Sequence, residues 1–155
     1  MNVAIVSFPL TKVAVIDHRG SPASEHDTVR KLVAWKLDQG FLDPVRHRHY
    51  GVHFTDPARV APHDHHVQFC LSVDDEVKPN RFGVRSGTIP ANRCAVARDI
   101  GSRNNNRAAA YLWEHWLPAS GETPADFPIF FHYVNVGPRV MPGDMITDVY
   151  LPLRD

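Results

Sequence analysis

Histidines are the most chemically suggestive residues of this chain, and there are ten of them. They concentrate in two stretches, HRHYGVH (His47–His53) and HDHH (His63–His66). In an extended segment His47, His49 and His53 would share one face, because their spacings are even. Three imidazoles could hold Zn²⁺ or Ni²⁺ with an open position for water. Since no HExxH or CxxC spacing accompanies them, we expect no resident metal, and pH response is the alternative use.

Other motifs for cofactor binding and catalysis are missing from the sequence. It contains no GxGxxG, P-loop or GxSxG, so we expect no cofactor and assign no catalytic residue. Seventeen basic residues balance seventeen acidic ones, which leaves no positive field for nucleic-acid binding. The opening MNVAIVSFPL lacks a basic start and is interrupted by Pro9, unlike a signal peptide or membrane span. Cys70 and Cys94 form no motif, which favours a cytoplasmic location.

Three charged segments have a simpler interpretation. Asp17-His18 and Arg98-Asp99 are interpreted as solvated charges at strand ends. RNNNR (Arg103–Arg107) is interpreted as a polar lead-in to a helix rather than as a basic patch.

The chain contains an internal sequence repeat, which predicts the elements that position these residues. VAVIDHRGS (Val13–Ser21) returns as CAVARDIGS (Cys94–Ser102) 81 positions later. With that offset, eight identities fall within residues 3–40, where chance would give roughly two. We interpret the chain as a single domain, residues 1–155, built from two copies at about 3–76 and about 81–155.

Each copy predicts one helix and several strands. Ser24 and Asp27 have capping-box spacing, and Gly40 suits the end of the first helix. In the second copy Trp113 and Trp116 lie on the helical stripe, and Pro118 is expected to close it. Each copy begins with an extended lead-in segment, Val3–Phe8 in the first and Arg81–Ile89 in the second. The predicted strands are Val13–Asp17, Tyr50–Phe54, Val67–Val73, Cys94–Arg98, Ile129–Asn135 and Ile146–Leu151.

These elements predict an α+β fold of two pseudo-symmetric strand–helix–strand–strand repeats. One such unit leaves a half-buried sheet face that it cannot cover alone. We therefore expect the strands to join in one antiparallel sheet with both helices on one face. Such pairing leaves a central cleft, and small-ligand pockets form at interfaces of this kind.

Four segments resemble the GyrI-like domain, the effector-binding module of multidrug-responsive AraC-type and MerR-type bacterial regulators. TIPANRCAVARDIGS (Thr88–Ser102) is similar to that family's IPAGRYAVFRHxGP, and LWEHWLPASG (Leu112–Gly121) to its LYxxWLPxSG. TDVYLPL (Thr147–Leu153) resembles TEIYIPV, and YGVHFTDP (Tyr50–Pro57) resembles GIYYDDP. The resemblance covers essentially the whole chain.

The resemblance implies a protein that binds bulky, aromatic, often cationic small molecules in a pocket between the repeats. No DNA-binding unit fits in the sequence, so we expect a stand-alone binding module whose partner is a small aromatic ligand. A protein partner, such as DNA gyrase or a second copy of the chain, stays open beside the small ligand. Two alternatives stay open: a gyrase-inhibitor-like interaction module, and a hydrolase of an electrophilic toxin with Asp148 or His53 as general base.

The family commonly places a buried Glu in a CFExY segment, where this chain reads IFFHY and has Phe131. Asp148 matches the acid of the family's TEIYIP segment. Rings around one acid suit a flat, weakly basic ligand, although the same rings could fill the core. The predicted ligand contacts are Tyr50, His53, Gln68, Cys70, Trp113, Phe131, Tyr133, Asp148 and Tyr150.

Overall fold

The structure, a computed structural model, describes residues 1–104 and 107–155. Asn105 and Asn106 of the RNNNR segment lie outside the described residues. The described strands are β1 (Val3–Phe8), β2 (Thr11–Arg19), β3 (His49–His53), β4 (His66–Ser72), β5 (Arg85–Ile89), β6 (Asn92–Ile100), β7 (Phe130–Tyr133) and β8 (Ile146–Leu153). The helices are α1 (Glu25–Gln39), α2 (Arg107–Tyr111) and α3 (Leu117–Ser120), with a π-helical turn at Leu112–Trp116 and 3-10 turns at Pro22–Ser24, Pro62–Asp64 and Pro142–Asp144. The predicted α+β class is confirmed.

The chain divides into two compact units. The continuous unit is Thr11–Ile89, and the split unit is Met1–Leu10 together with Pro90–Asp155. In the continuous unit the strand order is β3-β4-β2-β5, and in the split unit it is β7-β8-β6-β1. All strand pairs within each unit are antiparallel.

The first strand of each predicted copy, β1 or β5, pairs with a strand of the other copy. β1 opens the first predicted copy, yet it pairs with β6, so that Val6 lies opposite Cys94. β5 opens the second copy, yet it pairs with β2, so that Lys12 lies opposite Thr88. Each compact unit therefore takes its fourth strand from the other sequence copy.

The first helix ends as predicted but begins differently. Gly40 adopts the left-handed conformation at φ 74°, which favours glycine, and its amide donates to the Leu37 carbonyl. The Ser24 side chain makes no capping hydrogen bond to the helix; its hydroxyl donates to the Ser21 carbonyl instead. The predicted Ser24 capping box is therefore wrong, because a 3-10 turn at Pro22–Ser24 leads directly into α1.

The second helical segment does not close at Pro118. It continues through α3 to Ser120 and ends at Gly121, whose φ of 74° is left-handed. The π-helical turn at Leu112–Trp116 precedes this proline, and the Leu117 amide bonds to the Leu112 carbonyl. A proline inside a regular helix removes one hydrogen bond and its ring clashes with the preceding turn. The wider π turn supplies a local change of helix geometry at this position.

Each unit has a sheet face that packs on its own helix, here called the helix face. In the continuous unit Leu32 and Trp35 of α1 pack against alternate residues of β2 and β4 such as Ile16 and Phe69. In the split unit the helical residues Ala108 and Leu112 pack against strand residues of β6, β7 and β8: Ala95, Ala97, Phe131, Val149, Leu151 and Leu153. Side chains alternate along a strand, so the remaining strand residues lie on the other face, the reverse face. No helix among the described residues is both long and apolar enough to cross a membrane.

Candidate functional site

The reverse face of the split unit carries a patch of side chains that solvent reaches in part. Strand register places Arg98 and His132 on either side of Asp148, and Val96 opposite Tyr150. Arg98 is exposed, and the other four are partly buried. We call these five residues the split-unit patch. It is built from three adjacent strands, β6, β8 and β7, so backbone hydrogen bonds fix the spacing of its side chains.

Stacked aromatic rings support the patch at Tyr150. The Phe130 ring lies parallel to the Tyr150 ring with centroids 5.0 Å apart. Phe8 meets both rings edge-on, at 4.9 Å from Phe130 and 5.2 Å from Tyr150. Phe130 is fully buried, whereas Tyr150 is partly exposed. Stacked and edge-on pairs are the favourable arrangements of aromatic rings, so these contacts stabilise one orientation of the Tyr150 ring.

Asp148 is held by an arginine on the neighbouring strand. Arg98 donates from Nε to Asp148 Oδ1 at 2.7 Å and from Nη2 to Oδ2 at 3.0 Å. The Asp148 side chain is 14% exposed and that of Arg98 is 55% exposed. This two-point hydrogen bond raises the pKa of Arg98. A carboxylate engaged at both oxygens is a poor general base, which weakens the hydrolase alternative.

The reverse face of the continuous unit carries a second polar cluster. Asp17 accepts from the Gln68 amide at 3.2 Å, lies 2.8 Å from His66 Nε2, and pairs with Arg85. Burial alone would raise the pKa of Asp17, but these hydrogen bonds outweigh it and lower the pKa to about 2. Asp17 is therefore ionised at neutral pH and its charge is compensated by neighbours.

Tyr50 and Cys70 lie side by side on this same reverse face, since they are paired in register. Both are buried. Burial raises the pKa of the Cys70 thiol to about 12, and it raises the pKa of Tyr50 with Arg48 opposing. Neither group ionises near neutral pH, so both remain uncharged in the interior of the unit.

The other predicted contacts lie elsewhere. Phe131 is buried in the core beneath the second helical segment, with Tyr133 packed against that core. The Trp113 side chain is 44% exposed. His53 pairs in register with Val67, a helix-face residue of the continuous unit. The nine predicted residues are thus distributed over helix faces, reverse faces and a helix surface, with Tyr50, Gln68, Cys70, Asp148 and Tyr150 on reverse faces.

The histidines are held by protein partners instead of converging. His47 Nδ1 lies 2.9 Å from the Ser72 carbonyl oxygen, and His49 Nε2 lies 3.0 Å from Lys36 Nζ. His65, only 1% exposed, lies 2.7 Å from a Glu25 carboxylate oxygen. Among residues 1–104 and 107–155, no three His, Cys, Asp or Glu side chains are grouped to hold a metal ion.

The interpretation of two dipeptides as solvated charges is wrong for His18 and Asp99, whereas Arg98 is exposed. His18 and Asp99 are buried, and Asp99 pairs with Arg107 at 2.7 Å. Asp17 and Arg98 each form the ion pairs described above. Their partners lie on other strands or on a helix, so sequence neighbours gave no indication of them.

Sequence reasoning also missed the aromatic support for Tyr150. Phe8 was assigned to a lead-in of the first copy, and its contact with Phe130 depends on the β1–β6 pairing. The period-two pattern of FFHY does contain a signal, because it places Phe130 and His132 on the face opposite to Phe131.

The fold is thus an α+β domain in which the sheet face opposite the helix of each unit carries aromatic and polar side chains. A family model of the GyrI-like small molecule binding domain matches residues 1–154. The chain belongs to this family, as its sequence motifs predicted.

Relatives of known name span nearly the whole chain. The protein named Probable transcriptional regulator YgiV from Escherichia coli K12 is 36% identical over 99% of this chain and 96% of its own length. A DNA gyrase inhibitor of Erwinia billingiae is 27% identical over 99% of this chain and 97% of its own. The crystal structure of the EcmrR C-terminal domain superposes with a TM-score of 0.77 at 16% identity, covering 99% of this chain and 97% of that one. The last comparison shows the shared fold.

Proposed function

We propose that this protein binds a flat aromatic small molecule at the split-unit patch, in the bacterial cytoplasm. The observation that carries the proposal is Tyr150, a partly exposed residue whose ring is packed against Phe130 and Phe8 beside the Arg98–Asp148 pair. A rigid ring next to a charged pair offers a stacking surface and hydrogen-bonding groups at low entropic cost. Membership of a small-molecule-binding family also supports the proposal that this protein binds a small molecule.

A thermal-shift screen with neutral aromatics, cationic dyes and antibiotics tests this proposal. A ligand at about 100 times its dissociation constant adds roughly 2.7 kcal/mol to the free energy of unfolding, which raises Tm by about 5–10 °C. Tyr150→Leu removes the stacking surface and keeps an apolar side chain. We expect it to weaken binding by about fivefold, corresponding to roughly 1 kcal/mol.

The matched control is Tyr111→Leu. Tyr111 lies in α2 of the same unit, and its ring contacts His115, so its loss should leave affinity unchanged. Equal weakening by both variants, or a screen in which no aromatic compound raises Tm, would refute the proposed binding site.

A second function, inhibition of DNA gyrase, is favoured by the relative that carries that name. Gyrase inhibition would depend on a surface that contacts another protein, and it would not need a bound small molecule. A supercoiling assay with purified gyrase and increasing amounts of this protein tests it. Dose-dependent loss of supercoiling supports the function, and full activity at a large excess of this protein rejects it.

A further inference from the structure

Every acidic residue in the described strands is paired with an arginine. The described strands contain three acids: Asp17, Asp99 and Asp148. Asp99, on the helix face, pairs with Arg107 at 2.7 Å. The two reverse-face acids pair with Arg85 and Arg98. No strand carboxylate among the described residues is thus left uncompensated.

Compensation changes what a carboxylate can attract. An isolated carboxylate in a poorly solvated site draws a cation, because the attraction of opposite charges grows as the dielectric constant falls. At the split-unit patch both oxygens of Asp148 already accept from Arg98. An incoming cation would have to displace the guanidinium or lie beside it, and the second arrangement is repulsive.

The arginine is well suited to keep that position. A planar guanidinium donating two parallel hydrogen bonds to one carboxylate is the strong form of this ion pair. Asp148 has little exposure to water, whereas the Arg98 side chain reaches it. Two other side chains of the patch are titratable, His132, which lies opposite Asp148 in register, and Tyr150. An imidazole never carries a negative charge, and a phenol is uncharged at neutral pH.

We infer that the Arg98–Asp148 pair determines which ligand charge is preferred. The split-unit patch selects neutral flat aromatic molecules over aromatic cations of the same shape. This inference rests on the proposed function and specifies its ligand class. The ring of Tyr150 supplies stacking to both kinds of ligand, and the paired charges discriminate between them.

The test compares acridine with N-methylacridinium at about pH 8, where acridine is neutral and the two molecules share one ring system. Dissociation constants are measured by fluorescence titration with the wild-type protein. We expect acridine to bind more tightly. Arg98→Gln leaves Asp148 uncompensated and should shift the affinity ratio about tenfold toward the cation. The double variant Arg98→Gln with Asp148→Asn should lose that gain.

Arg46→Gln is the matched control, since Arg46 also pairs with an aspartate, Asp74, but is exposed in the continuous unit. It should keep the wild-type ratio. Tighter wild-type binding of the cation, or an unchanged ratio in Arg98→Gln, overturns the inference and leaves the proposed function standing. If neither probe binds to the wild-type protein or to Arg98→Gln, both the inference and the proposed function are overturned for flat tricyclic ligands. Circular dichroism of each variant verifies the fold.

Discussion

At the scale of the residue, His53 couples folding to pH. Burial first, and the neighbouring His65 second, lower the pKa of His53 to about 4. An unperturbed histidine has a pKa of about 6.5. Between these values the unfolded chain takes up a proton that the folded protein does not bind, so stability falls as pH falls from about 6.5 to about 4.

We therefore expect the free energy of unfolding to decrease by about 3 kcal/mol across that window because of His53. His53→Gln should flatten this pH dependence, whatever its effect at neutral pH. Urea denaturation at a series of pH values measures it. His63→Gln, which removes an exposed histidine, should retain the wild-type slope; an equally steep slope in His53→Gln would contradict the assignment.

Predictability at this scale depended on how far apart the interacting residues lie in the chain. Asp148 and Tyr150 are two positions apart in one strand, so local periodicity is enough to place them on the same face. Arg98 was missed because its partner is 50 positions away, and strand register decides that pairing. Phe131 falls in the core because the Phe130 side chain takes the reverse face.

At the scale of the element, β5 approaches β2 closely at a glycine. A Cβ atom added at Gly87 would lie 2.5 Å from Val15 Cγ2. Valine is stiff about χ1, so the neighbour cannot easily move aside. The absence of a side chain at Gly87 is what lets this edge strand pair with β2.

Gly87→Ala should therefore destabilise the protein by about 1–2 kcal/mol, after allowing for the entropy that alanine saves in the unfolded chain. Thermal or urea denaturation measures the change. Gly143→Ala is the comparison, since no atom lies within 4 Å of a Cβ added there. If the two substitutions have the same effect, close packing of β5 does not explain the glycine.

The ends of the helical segments could be predicted from sequence at the glycines but not at Pro118. Gly40 and Gly121 end their helical segments in left-handed conformations, a requirement that glycine meets without strain. Pro118 gave the opposite result: a regular helix excludes an interior proline, but a π-helical turn precedes it here. No residue pattern in LWEHW distinguishes that turn from an ordinary one.

At the scale of the whole molecule, the exchanged lead-in strands make a testable prediction. Because β1 pairs with β6, deletion of residues 1–8 should accelerate amide hydrogen exchange in β6. Exchange in β2, whose partners are β4 and β5, should change little. Hydrogen-exchange mass spectrometry of the deletion variant measures both strands, and faster exchange in β2 than in β6 would contradict the pairing.

The fold class was predictable because duplication, hydrophobic periodicity and turn residues all act within short segments. The exchange of lead-in strands was not, since β1 precedes β2 directly in the chain and sequence proximity favours pairing them. Strand choice depends on contacts across the folded protein, which a local pattern does not record.

The split unit has a consequence for how the protein is made. VAIVSF leaves the ribosome before its partner β6, which ends at Ile100, so the nascent chain must carry it unpaired until translation has passed that residue. The four strands of Thr11–Ile89 are all available earlier. An uncharged hexapeptide with high β-propensity that stays unpaired during synthesis can form wrong strand pairs or aggregate. Slow codons after Ile89 would prolong its exposure.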